Sequence, residues 1–309
     1  MIKKYVLIFA AIICLPLFFM SDLDDYSPRS YKHGWDLGHI LIFFFWTYAL
    51  VNHWSKASKA SAFKQWATVL AASFAVGLTI EILQSFTLRS VSLRDLLNDL
   101  LGSFLALAFF SPSLKMIVRK KKRAFQISAL LLLAISFYPS ITSIIDEVTA
   151  RKQFPILANF ETAFETKRWQ GKTDIAITRD ISENSSHSLR VPLATTKYSG
   201  VNLKYFPSDW QGYNYLQLST YNPIAASLLI HCKIFDQRHT ENKYRYEDRY
   251  NGEYIMQKGW NKIVINLEEV LNAPRNRKMD LSRIKGLQIF VSSLPEPRVI
   301  FIDNVKLLP

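Results

Sequence analysis

Nine polar side chains stand in or beside the apolar stretches of this 309-residue chain: Asp36, His39, Glu81, Gln84, Arg89, Arg94, Asp95, Asn98 and Asp99. Their spacing is helical. Asp36/His39 and Glu81/Gln84 are three residues apart and Asp95/Asp99 four apart, so each pair shares one helix face. Glu81, Asp95 or His39 could act as general acid or base, because apolar surroundings shift the proton affinity of a carboxyl. Arg89 could hold a phosphate through a bidentate contact. The same groups would also serve as hydrogen-bond partners between helices or as caps, and Asp95, three after Ser92, suits the first turn of a helix. Taken together, Asp36, His39, Glu81, Gln84, Arg89, Asp95 and Asp99 read as a substrate-binding site, with catalysis left open.

The elements that must position these groups are apolar runs. Five lie at 5–20, 37–53, 66–86, 95–111 and 124–145, near the ~20 residues a helix needs to cross a bilayer. The first follows Lys3 and Lys4 and reads as an anchor, since no small-x-small cleavage site comes after it. Lys56, Lys59 and Lys64 fill one loop and Lys115, Arg119, Lys120, Lys121, Lys122 and Arg123 another, whereas 21–36 carries Asp22, Asp24 and Asp25. Basic loops face the cytoplasm. The expectation is a multi-pass protein of the inner (cytoplasmic) membrane, N-terminus inside and residues 151–309 extracytoplasmic. That topology gathers the polar groups at the outer leaflet. Glu81 would lie about 7–8 Å inside the end of its span at ~1.5 Å per residue, with Arg89 or His39 as its partner.

Composition narrows the classes. Hydrophobic residues make up 49% of the chain, which excludes disorder. Two cysteines, Cys14 and Cys232, exclude a disulfide scaffold and a cysteine-rich zinc module. The net charge of +13 raises nucleic acid as a partner. We discount it, because the basic run lies between two spans; anionic lipid heads or a teichoic-type wall polymer suit that charge at least as well.

Residues 36–110 resemble the VanZ-like family. The matching residues are Asp36 and His39, then Glu81-Ile-Leu-Gln84, Arg89, Ser92, Asp95 and Gly102. Asp99 stands where the family has Asn, and Asn98 one residue earlier. The resemblance implies a small bacterial integral membrane protein of the cell envelope, linked to low-level resistance to the glycopeptide teicoplanin; it implies no settled catalytic activity.

From residue 151 the apolar period changes to two, which marks strands. About eleven short strands between 156 and 308 predict an antiparallel β-sandwich of jelly-roll type, so the whole is α+β in two separate domains, 1–150 and 151–309. Strands at 243–250 and 253–257 flank Asn251-Gly252, a hairpin turn signal; 267–272 suits a single helical turn. This half resembles carbohydrate-binding-module-like, galactose-binding-like jelly rolls, through Phe160-Glu161, Trp169, Ser188-Leu189, Trp210, Tyr213, Asp236, Asp248-Arg249-Tyr250, Gly259-Trp260-Asn261 and Phe301-Ile-Asp303-Asn304. The resemblance implies glycan binding or a protein-interaction scaffold, and a structural calcium with Glu161 and Asp303 as ligands. Tyr244, Tyr246, Arg249, Tyr250 and Tyr254 are the glycan-contact candidates, weighed against the ordinary use of strand aromatics in cores. Trp260 reads as core.

Three readings stand open: an envelope protein whose helices hold a lipid head group or precursor and whose sandwich binds glycan or protein; an integral-membrane enzyme on a lipid-linked cell-wall intermediate, with Glu81 or Asp95 as the acid/base; and a display anchor for the sandwich.

Overall fold

The computed structural model describes residues 26–53, 61–86, 92–183 and 185–309. The apolar run at 5–20 and Arg89 lie outside them. The chain divides into two compact units, Met1–Ile141 and Thr142–Pro309.

The first unit is helical: α1 (Arg29–His53), α2 (Ala62–Ser85), α3 (Leu93–Phe110) and α4 (Arg119–Gln153), whose residues from Thr142 belong to the second unit. Among the described residues three of these, α1, α2 and α4, are long and apolar enough to cross a membrane. Five spans were expected. The α3 helix is not among the three: it has 18 residues and carries Arg94, Asp95 and Asp99 in its first two turns. It is instead the helix the others enclose: Ala106, Leu107 and Ala108 are fully buried. Outward, Phe45, Phe63, Phe74, Leu83, Leu131 and Ile135 are exposed, the inverse of a water-soluble bundle. The α1 helix begins at Arg29 rather than 37, with the amides of Tyr31 and Lys32 bonded to the Pro28 carbonyl; proline's fixed φ suits a helix start. Gly102 lets α3 approach α1, since a Cβ there would lie 2.3 Å from the Ile40 carbonyl oxygen.

The second unit is the expected two-sheet sandwich. One sheet runs β3 (Ala176–Thr178), β4 (Ser188–Leu193), β11 (Arg298–Leu308), β6 (Tyr215–Asn222), β9 (Gly259–Asn266), with β1 (Ile156–Ala158) also on β11. The other runs β2 (Trp169–Gly171), β5 (Tyr198–Leu203), β10 (Ile284–Ser292), β7 (Leu228–Asp236), β8 (Tyr250–Met256). Every pairing is antiparallel. Alternate residues such as Leu189, Leu218, Ile230, Ile289 and Ile302 fill the space between the sheets. Short helices α5 (Gln237–Glu241) and α6 (Leu267–Asn272) interrupt the strands, the latter where a helical turn was expected.

Asn251-Gly252 is not a turn. Both residues lie inside β8, paired with Lys233 and Cys232 of β7. The reason is packing. A Cβ at Gly252 would stand 2.8 Å from the Tyr250 hydroxyl and 2.9 Å from the Tyr254 ring, and the two hydroxyls meet over it at 2.8 Å. The chain turns after Met256 instead, at Gly259 with φ +93°, where Asn261 Oδ1 accepts from the Gln257 amide. β2 was not expected, and no strand covers 243–249.

Candidate functional site

Two constellations carry chemistry, one in each unit. In the helical unit, three of the sequence-chosen polar residues, His39, Asp95 and Asp99, come together. His39, Glu81, Gln84, Asp95 and Asp99 are all buried. His39 Nδ1 lies 2.8 Å from Asp99 Oδ1 and its Nε2 3.8 Å from Asp95 Oδ2, so an imidazole on α1 sits between two carboxylates one turn apart on α3. Gly77 on α2 leaves room for Asp99: a Cβ there would lie 2.5 Å from Asp99 Oδ2. Glu81 was expected to pair with Arg89 or His39. One of its oxygens accepts from the Ser92 amide at 2.6 Å, while Ser92 caps α3 by accepting from the Asp95 amide; Arg89 lies outside the described residues. A helix N-terminus offers free N–H groups to a carboxylate, and that local supply satisfies one Glu81 oxygen.

Asp36 stands apart from this group. Its carboxylate faces Arg94 and His33, each at 3.6 Å, and its backbone carbonyl accepts from Asn98 Nδ2 at 3.0 Å. Further along the bundle Ser103 links α1 and α2 through Thr47 and Ser73 at 3.0 and 2.7 Å.

The second constellation is a groove of about 780 Å³ on the outer face of the five-stranded sheet. Strand alternation builds it. On β7, Ile230, Cys232 and Ile234 face the core, so His231 and Lys233 face out. On β10, Leu287, Ile289 and Val291 face in, so Gln288, Phe290 and Ser292 face out. On β5, Tyr198 and Asn202 do the same. An aromatic run results across three neighbouring strands: Tyr198 meets Phe290 edge-on at 5.9 Å, and Phe290 stacks on His231 at 5.2 Å and 23°. Gly200, opposite Phe290, has no room for a side chain, because a Cβ would lie 2.7 Å from Phe290 Cβ.

One wall of the groove is a bonded unit. The Arg249 guanidinium lies 4.8 Å over the Tyr246 ring, its Nε donates to Asn251 Oδ1 at 2.9 Å, and Asn251 Nδ2 donates back to the Tyr246 carbonyl. Burial pushes the Lys233 amine down to about 8, and the neighbouring Arg249 charge adds to this. Burial likewise lowers the Arg249 guanidinium.

Of the five expected glycan contacts, Tyr246 and Arg249 line this groove. Tyr250 and Tyr254 face the core, where burial raises both phenols. Tyr244 is exposed and packs edge-on to His239. Trp260, expected in the core, is half-buried beside Tyr221 at 5.3 Å. Tyr198, Phe290, His231 and Lys233 were missed; the polar or aromatic residue at every second position of β5, β7 and β10 was the available signal.

The expected calcium ligands each hold backbone. Glu161 Oε1 accepts from the Ser186 and His187 amides; Asp303 accepts from the Glu183 and Asn304 amides and from Ser185 Oγ. Burial raises the Asp303 carboxyl. Among the described residues no three His, Cys, Asp or Glu side chains group as a metal site. Cys232 is buried and its thiol pushed up to about 12.

No family model matches the chain, and no curated protein matches it. The solved structures it is similar to include carbohydrate-binding modules. A family 11 module from Clostridium thermocellum, solved with a β-1,3-1,4-mixed-linked tetrasaccharide, is 14% identical over 50% of this chain and 94% of its own, with a TM-score of 0.38. The CBM22-2 xylan-binding domain of Paenibacillus barcinonensis Xyn10C is 16% identical over 50% of this chain and 98% of its own, TM-score 0.34. An exo-β-agarase is 17% identical over 50% of this chain, which spans 24% of the agarase, TM-score 0.41.

Proposed function

We propose that this chain is a membrane protein of the bacterial envelope whose β-sandwich binds a glycan along the outer face of its five-stranded sheet. The observation that carries the reading is the aromatic run Tyr198–Phe290–His231 at the floor of the groove, flanked by the amides of Asn202 and Gln288. A sugar ring offers an apolar C–H face to an aromatic and hydroxyls to flanking polar groups, and this floor supplies both in one strip. The basic loops place the sandwich outside the cytoplasmic membrane in this reading. The test is binding of the full chain to an array of neutral and acidic glycans. Wild type retains at least one glycan, and Phe290→Ala or Tyr198→Ala weakens it about tenfold or more, equivalent to ~1.4 kcal/mol. Undiminished binding by both variants removes the groove from the account.

A second reading is favoured by the buried His39–Asp99–Asp95 set: the helical unit is a VanZ-like membrane domain that handles a lipid-linked envelope precursor, with Glu81 or Asp95 as acid or base. Glu81→Gln keeps an oxygen for the Ser92 amide and so keeps the fold. Loss of the teicoplanin protection of a sensitive host in that variant, at unchanged membrane level, supports chemistry at Glu81. Full protection by the variant leaves Glu81 a capping group.

A further inference from the structure

We propose that the groove selects an acidic glycan, seating an oxyanion of the polymer between Lys233 and Arg249 while a sugar ring lies on Phe290. This rests on the glycan reading of the same groove and names its substrate class.

The groove is short of negative charge. Three cations line it, Lys172, Lys233 and Arg249, against one carboxylate, Glu253. Glu253 lies at the exposed edge, its side chain 67% accessible, and stands 3.4 Å from His231 Nδ1. Lys233 is only 8% exposed, yet strand alternation directs it into the groove, and its ammonium lies 4.6 Å over the Phe235 ring. No carboxylate among the described residues pairs with it. Arg249 also lacks a carboxylate: its Nε is held by Asn251, and the guanidinium lies flat on Tyr246.

Two neighbouring cations, partly desolvated and without a counter-charge, are unfavourable in the free protein. In a folded domain such a group is normally paired or moved to the surface. The wall that holds Arg249 flat fixes its position, so a ligand meets it already oriented. An oxyanion supplies the missing charge to both groups. The depressed Lys233 amine then regains its proton, so binding takes up protons near its free value of about 8. The other titratable or charged groups around Lys233 are Arg249, Tyr246 and Glu253 on the β8 side, His231 on its own strand, Lys172 across the sheet, and His239 with Asp248 beyond Phe235. Burial lowers His239, so it stays uncharged in that range.

The test uses the full chain in neutral-detergent micelles at physiological salt. Four polymers are titrated calorimetrically: polygalacturonate, phosphomannan, neutral mixed-linked β-glucan and polyglutamate. The expected result is that polygalacturonate or phosphomannan binds about tenfold or more tighter than the neutral glucan. Which of the two wins identifies the oxyanion as carboxylate or phosphate. Lys233→Gln and Arg249→Gln each remove about tenfold or more of that affinity, and wild type takes up protons at about pH 8.5, read from the buffer dependence of the enthalpy. Equal or tighter binding of neutral glucan, unchanged by Lys233→Gln, overturns the oxyanion seat and leaves the glycan reading standing. Polyglutamate binding as tightly as polygalacturonate, unaffected by Phe290→Ala, overturns the glycan reading as well. No binding of any polymer overturns the oxyanion seat, while the glycan reading is decided on the array. Proton uptake is measured on wild type alone, so the seat stays testable even where a variant does not fold.

Discussion

Arg168 and Asp146 form a fully buried, bidentate ion pair: Arg168 Nε lies 3.0 Å from both Asp146 oxygens and Nη2 2.7 Å from Oδ1. Arg168 Nη1 also donates to the Leu157 carbonyl. The pair ties the last turns of α4 to the start of the sandwich, inside the second unit. Removing one member of a buried pair leaves an uncompensated charge and costs about 3–5 kcal/mol. Asp146→Ala therefore lowers the melting temperature of a 142–309 fragment sharply, and a fragment starting at 151, which lacks Asp146, melts lower than one starting at 142. Equal melting of the two fragments would contradict this.

Gly252 carries a second prediction. The Tyr250 and Tyr254 hydroxyls close over it, and a Cβ has no room. Overpacking of this kind costs roughly 1–3 kcal/mol. Gly252→Ala destabilises the sandwich by that order in urea unfolding. Were Asn251-Gly252 a hairpin turn, Asn251→Gly would be nearly neutral there; in the strand it removes the Arg249 contact and weakens the groove wall.

Lys233 couples stability to pH. Its folded value, about 8, lies below the ordinary lysine value of 10.5. Between these the unfolded chain binds the extra proton, so stability rises with pH across that window. The penalty is present in full below about pH 8 and gone above 10.5. One pKa unit is ~1.4 kcal/mol, so Lys233→Met is expected to raise stability at neutral pH by on the order of 2 kcal/mol and to flatten the alkaline rise, measured by denaturant midpoints from pH 7 to 10. A lysine that destabilises its own domain is what a binding role leaves behind. No gain in Lys233→Met removes that argument.

The legible parts of the molecule were those written in local pattern. Polar residues at helical spacing inside apolar runs picked out His39, Glu81, Gln84, Asp95 and Asp99, and the fold buries them. Ser92 as a Glu81 contact was not legible: its amide reaches that carboxylate because the cap of α3 falls beside α2. Period-two alternation identified the sandwich, but the groove gathers Lys172, Tyr198, Lys233, Arg249 and Phe290 from segments far apart in sequence. The Tyr-rich stretch misled for the same reason. Tyr246 and Tyr250 look alike locally, yet Tyr246 lies in the 3-10 turn before β8 and lines the groove, whereas Tyr250 opens β8 and faces the core.

The central claim is that the outer face of the five-stranded sheet holds a glycan. Backbone amide shift mapping of an isotope-labelled 142–309 fragment, titrated with the glycan the array selects, tests it most directly. The account predicts that perturbations concentrate at Tyr198, Asn202, His231, Lys233, Arg249 and Phe290. Shifts confined to Tyr221, Trp260 and Phe301 on the other sheet, or scattered over both, would contradict it.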